Sequence, residues 1–176
     1  MISDYELIKK LREKTGASLL DCQKVLAETR NDIKKALEIL RKKGQKIVAA
    51  KIDRLTKAGV IGFYLHSNEK IAALVELSCE TDFVARNQEF KELAHDLAMQ
   101  VAAMNPLYLK PEDIPKEVLK KEEIIEGKLE KFYEITCLLK QSFIKDQNIK
   151  VEDLLKSKIA KLRENIQIRR FVRFEI

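Results

Sequence analysis

Three cysteines (Cys22, Cys79, Cys137) and two histidines (His66, His95) are the only residues here from which thiol or imidazole chemistry could be built. A thiol nucleophile needs a nearby base. Cys79 follows a strand-like run, and His66 or His95 would have to supply that base. Cys22 and Cys137 fall on helix faces and read as packing residues. An odd number of cysteines at long spacings gives neither a disulfide framework nor a Cys-x-x-Cys metal pair. Two histidines leave little for zinc, so no metal site is expected. Five glycines and no glycine-rich phosphate loop argue against a nucleotide-binding enzyme. No catalytic residue and no cofactor are expected, which leaves binding.

Thr81-Asp82-Phe83-Val84 is the most informative binding candidate. It stands where a strand ends and a helix begins, and an aromatic beside a carboxylate there makes a protruding contact. The alternative is that Phe83 tucks under the following helix and Asp82 caps it. Arg169, Arg170 and Arg173 flank Phe171 near the C-terminus. Basic residues with an aromatic on a sheet can bind RNA, or can form a solvated strand face. The net charge of +6 is uneven: residues 1–57 hold 15 Lys and Arg against 8 Asp and Glu, net +7. Such a module suits an acidic partner, either nucleic acid or an acidic protein face, or is a solvated helix surface.

These residues need elements to hold them. With 45% hydrophobic and 35% charged residues, a core can form and general disorder is excluded. No apolar run nears the ~20 residues of a membrane span, and the first residues show no apolar signal core. Residues 3–44 read as three short helices: Ser3-x-x-Glu6 opens the first, Thr15-Gly16 ends it, Ser18-x-x-Asp21 opens the second, and Asn31 caps the third. Gly44 follows a basic helix end, and residues 45–57 read as a linking helix. Residues 60–66 and 70–79 form a hairpin; its second strand, apolar on both sides, reads as central and covered on both faces. Phe90, Leu93, Ala94, Leu97, Ala98 and Val101 make one helical stripe. Helices follow over 116–127, 129–139 and 151–162, with a third strand over 166–174. The fold class is α+β: three helices (1–44), a linking helix (45–57), and a core (58–176) with a small three-stranded antiparallel sheet covered by helices.

Two stretches now resemble one family. Leu11-Arg12-Glu13-Lys14-Thr15-Gly16-Ala17, followed by Asp21-Cys22-x-Lys24-x-Leu26, is similar to the N-terminal signature of the elongation factor Ts family. Glu76-Leu77-x-Cys79-Glu80-Thr81-Asp82-Phe83-Val84-Ala85-Arg86-Asn87 resembles its second signature. The ending around Glu164-Asn165-Ile166 and Arg169-Arg170-Phe171 fits its last core strand, and Leu138 to Ile144 also fits. The likeness spans nearly the whole chain and is to the short form with one core unit. Ser18 stands where a glycine is common, and Leu19-Leu20 where methionines are usual; serine is the better helix cap.

The resemblance implies a non-enzymatic guanine nucleotide exchange factor for elongation factor Tu, working in the cytoplasm during translation elongation. It implies that Thr81, Asp82, Phe83 and Val84 disturb the partner's Mg²⁺ and phosphate site. It implies that a ubiquitin-associated-like three-helix domain docks on the partner's GTPase domain through Leu11, Arg12, Lys14, Thr15, Gly16, Ala17 and Lys24. The basic excess is thereby given a protein partner, with no direct nucleic acid and no membrane. A second copy of the chain would supply the missing core unit, so a homodimer is expected. The competing readings are an RNA- or ribosome-associated basic protein, a thiol enzyme using Cys79, and a ubiquitin-like-binding adaptor.

Overall fold

The computed structural model describes residues 4–121 and 128–176. The chain divides into two compact units, residues 1–55 with 155–166, and residues 56–154 with 167–176. Helix α8 (Val151–Leu162) contains one of the boundaries.

The first unit begins with α1 (Asp4–Thr15), α2 (Leu19–Glu28) and α3 (Ile33–Ala49). Their apolar residues recur at helical spacing and converge: Leu7, Leu11, Cys22, Val25, Leu26, Ala36 and Leu40 form one buried cluster. Gly16 ends α1 with φ +65°, and its N–H donates to Arg12 O at 2.8 Å. That left-handed residue is the stop that glycine provides most cheaply. Ser18 caps α2 by accepting from Asp21 N at 3.1 Å, as expected. The capping box assigned to Ser3 lies outside the described residues.

Two expectations are corrected in this unit. Asp32, not Asn31, caps α3, accepting from Lys34 N and Lys35 N; Asn31 instead takes φ +64° in the turn. Of the linking helix expected over 45–57, only residues 45–49 are helical, as the end of α3. α3 runs through Gly44 to Ala49, and turns and extended chain follow to Lys57. Asn165 explains why the helix stops: its Nδ2 donates to Ile52 O and Arg54 O at 2.9 and 2.7 Å, fixing those carbonyls outside a helix. The first unit thus extends past residue 44 and includes the C-terminal part of α8.

The second unit is built on β1 (Ala58–Leu65), β2 (Ile71–Cys79) and β5 (Ile166–Glu175), in the order β1-β2-β5. β1 and β2 pair antiparallel from Ala58↔Cys79 to Leu65↔Ala72. Between them come α4 (Asp82–Arg86) and α5 (Gln88–Met104) after β2, then α6 (Lys116–Lys121) and α7 (Lys128–Thr136). A small hairpin, β3 (Ser142–Phe143) with β4 (Asp146–Lys150), precedes α8. The part of the expected helix at 122–127 lies outside the described residues.

α5 covers one face of the sheet. Phe90, Leu93, Ala94, Leu97, Ala98 and Val101 are buried against Ala73, Val75, Leu77 and Cys79 of the central strand. The approach is so close that a Cβ at Gly62 would lie 2.2 Å from Ala94 O. Only glycine permits this backbone-to-backbone contact. The other face carries no helix among the described residues, which corrects the expectation that β2 is covered on both sides. Ile61, Phe63, Leu65, Leu74, Val172 and Phe174 stand there, each 41–68% exposed.

Candidate partner-contact sites

The turn after β2 is assembled almost entirely from its own residues. Thr81 caps α4, its Oγ1 accepting from Val84 N at 3.4 Å. Its carbonyl accepts from Cys79 Sγ at 3.1 Å, tying the turn to the end of the central strand. Val84 and Ala85 are buried and anchor the turn. Asp82 pairs with Arg86 one turn on, at 2.9 Å. Asn87 closes α4 and opens α5, where its Oδ1 accepts from Glu89 N at 2.8 Å.

The residue left over is Phe83, which is 80% exposed. Of the two arrangements the spacing allowed, the chain adopts the protruding one. Thr81, rather than Asp82, provides the cap, so the Asp82 carboxylate stays at the surface with Arg86. An exposed aromatic on a fixed turn has little conformational entropy left to lose on contact, which is what a contact anchor requires.

The second candidate surrounds Gly16 in the first unit. Tyr5, Ile8, Arg12, Gly16, Leu19 and Lys161 line a shallow cleft of about 290 Å³. Tyr5 and Leu19 are large apolar side chains left exposed in it, and Leu20, next to Leu19 on α2, is exposed as well. Arg12 and Lys14 are exposed on α1, Thr15 and Ala17 are half-buried, and Lys24 is exposed one helical turn beyond Leu20. Leu11 is fully buried in the helical core. Of the seven residues expected to dock, it alone lies in the core and not at the surface.

A neighbouring pocket shares Arg12, Gly16, Ala17 and Lys161 with this cleft, and Asp21 lines it. Its carboxylate meets Lys43 Nζ at 2.5 Å and Arg163 at 3.2 Å, while its side chain is only 14% exposed. The hydrogen bond from Lys43, then that with Ser18, holds its pKa below the ordinary carboxylate value against the opposing effect of burial. One carboxylate thus ties α2 to α3 and to the residue following α8.

Thiol chemistry finds no geometry here. Cys22, Cys79 and Cys137 are all buried and reduced, and burial pushes the Cys22 and Cys137 thiols upward. Cys79 lies opposite Ala58, whereas His66 follows the far end of β1, about 26 Å away at 3.3 Å per residue. His95 is occupied at Phe63 O, 2.8 Å away. Among the described residues no cluster of His, Cys, Asp or Glu could hold a metal ion, and no helix is long and apolar enough to cross a membrane.

Sequence reasoning did not identify the open apolar face of the sheet. Alternation was the available signal: Ile61, Phe63 and Leu65 occupy every second position of β1, and a strand covered on one side only should be polar there.

Comparison with known proteins agrees with both motifs. The elongation factor TS family profile matches residues 5–125 and 121–176. Elongation factor Ts of Thermotoga maritima is 52% identical over 188 aligned positions, covering 97% of this chain and 94% of that protein. Those of Thermodesulfovibrio yellowstonii and Carboxydothermus hydrogenoformans are 48% and 47% identical, covering 97% of this chain and 94% and 88% of theirs. Two signatures in the right order and matches of this extent have one reading: the chain belongs to the elongation factor Ts family.

Proposed function

We propose that this chain promotes release of GDP from elongation factor Tu, and its exchange for GTP, by disturbing the partner's Mg²⁺ and phosphate site. GDP on a GTPase is held by a phosphate loop and a bridging Mg²⁺. Moving the backbone that supports either one leaves phosphate charge uncompensated and speeds release. No bond is made or broken by the factor.

The observation that carries this reading is Phe83, exposed on a turn that Thr81, Val84, Ala85 and Asn87 hold. Phe83 enters an apolar gap in the partner. Asp82 arrives with it and, on leaving its exposed pair with Arg86, adds hydrogen bonds or repulsion beside the metal site. Thr81 and Val84 act through the turn, as cap and anchor. The Gly16 cleft supplies binding energy and register, with Tyr5, Leu19 and Leu20 as apolar contacts and Arg12, Lys14 and Lys24 as steering charges. The process belongs to the cytoplasm, where translation elongation takes place.

Coupling between the two sites is reciprocal. A factor that weakens GDP binding by some ratio is itself weakened by GDP in the same ratio. Supply of GTP therefore sets the direction.

The exposed face of the β1-β2-β5 sheet supports a homodimer. Six large apolar side chains on one flat face suit a second copy of the same face, packed sheet on sheet. Sedimentation of the wild-type chain and of Phe63→Lys reads this directly: a dimer that becomes a monomer on substitution is expected, and a wild-type monomer refutes it.

Release of a fluorescent GDP from elongation factor Tu, measured against factor concentration, tests the central reading. Acceleration that saturates is expected. Phe83→Ala is expected to slow release at saturating factor by one to two orders of magnitude, about 1.4–2.8 kcal/mol, with a smaller loss in complex formation. Normal release at saturation would remove the wedge.

A further inference from the structure

The basic excess of the first unit separates into two groups. Arg12 and Lys14 lie by the Gly16 cleft with exposed apolar neighbours. Lys43 is turned inward to Asp21. Others are scattered over α1, α2, the turns and the end of α8, but the largest group stands on α3, and there the pattern differs.

At about 100° per residue, Lys34, Lys35, Arg41, Lys42 and Lys46 fall within one arc of about 140°. Its centre lies opposite Ala36 and Leu40, which face the core. All five are exposed. Lys34, Arg41, Lys42 and Lys46 form no ion pair among the described residues. Lys35 has only a 3.7 Å contact with Asp32, with its own side chain 74% exposed. Glu38 is the single acid on the stripe, and Gln45 its one neutral hydrogen-bonding group. From Lys34 to Lys46 the stripe runs about 18 Å along a rigid helix.

We propose that this stripe binds the phosphate backbone of double-helical RNA. A protein partner is the poorer match. Protein interfaces centre on aromatic and apolar anchors and are depleted in lysine, and the only large apolar side chain near the stripe is Ile39, at its edge. The Gly16 cleft has such anchors; the α3 stripe does not. Single-stranded RNA is also a poorer match, because its sites stack bases on aromatic rings and α3 carries none. A-form RNA presents phosphates and 2′-hydroxyls across a wide, shallow minor groove and is recognised by shape and backbone. A straight cationic helix face with one amide suits that surface. The inference goes beyond the exchange reading and does not depend on it.

The experiment is fluorescence anisotropy of a labelled RNA duplex with the full chain, titrated across salt. Five phosphate contacts predict a log–log slope of about −4.5, an affinity loss of order 500-fold between about 50 and 200 mM salt. A variant with Lys34, Arg41, Lys42 and Lys46 all changed to Gln is expected to flatten the slope to about −1; glutamine keeps helix propensity, and circular dichroism checks the fold. Glu38→Lys is expected to tighten binding several-fold, a gain that unfolding does not produce. No binding at low salt, or a slope unchanged in the four-site variant, overturns the proposal. So does tighter binding to the DNA duplex of the same sequence. If the four-site variant keeps RNA binding but loses stimulation of GDP release from elongation factor Tu, the stripe faces an acidic protein and the proposal fails. The RNA measurement contains no elongation factor Tu, so its outcome is separate from the exchange test.

Discussion

The two units hold their candidate sites by different means. In the second, the Thr81–Asn87 turn is fixed by caps and buried neighbours at the junction of a central strand and a long helix. In the first, the Gly16 cleft sits on a small helical core, and one carboxylate shared by two cations lines the pocket beside it. A sheet packed on a helix gives a stiff platform from which a single side chain can project. Three short helices give a surface whose shape rests on a few interior residues and one ionic junction.

The strongest way to test that contrast is Gly62→Ala. The added Cβ would meet backbone rather than a flexible side chain tip, so α5 must move off the sheet. A loss of about 3 kcal/mol or more is expected, measured as denaturant midpoint shift; a loss below about 1 kcal/mol would mean that the platform is softer than its packing suggests. Leu11→Ala comes next, with about 2–3 kcal/mol lost from a fully buried side chain whose site can partly collapse. The same variant should weaken docking at the Gly16 cleft although Leu11 reaches no surface.

Asp21→Asn should cost about 1 kcal/mol, because both cations are half exposed and solvent screens the pair. Its pKa is depressed in the folded chain. Its contribution is therefore fully present above its unfolded value of about 3.9 and lost as pH falls through the folded value. Wild type and Asp21→Asn should converge in stability at the acid end; a constant gap down to low pH would show that the ionic junction is not the source. The smallest effect on stability is expected for Phe83→Ala, within about 0.5 kcal/mol, since the ring touches little. A large loss of stability there would mean that Phe83 holds the turn rather than being held by it.

Much of this was legible in the residues. The apolar periodicities of α1, α2, α5 and α8, the stop at Gly16 and the β1–β2 hairpin all follow from local pattern. What local pattern missed was decided at a distance. Gly44 looked like a helix end, but α3 continues past it to Ala49, and it is Asn165, more than a hundred residues on, that holds the chain non-helical after that. β3 and β4 are short and polar and exist because they pair with each other, with Gln100 bridging from α5 to Ser142 O and Ile144 N. The protrusion of Phe83 was one of two open outcomes. Val84 and Ala85 decided it by taking the buried positions of a turn too short to bury three. The corrected second face of β2 has the same character: an apolar strand says that something covers it, but not that the cover is within the chain.

Asn87 ends one helix and begins the next with no intervening linker. Mechanically, that joint is a single extended residue. A load on α4 has only that residue in which to be absorbed before it reaches α5, and α5 meets the sheet backbone to backbone at Gly62. Such a lever stores little energy in itself when pressed. If Phe83 is the proposed wedge, whatever it pushes against takes most of the strain, and the deformation appears in the softer of the two bodies.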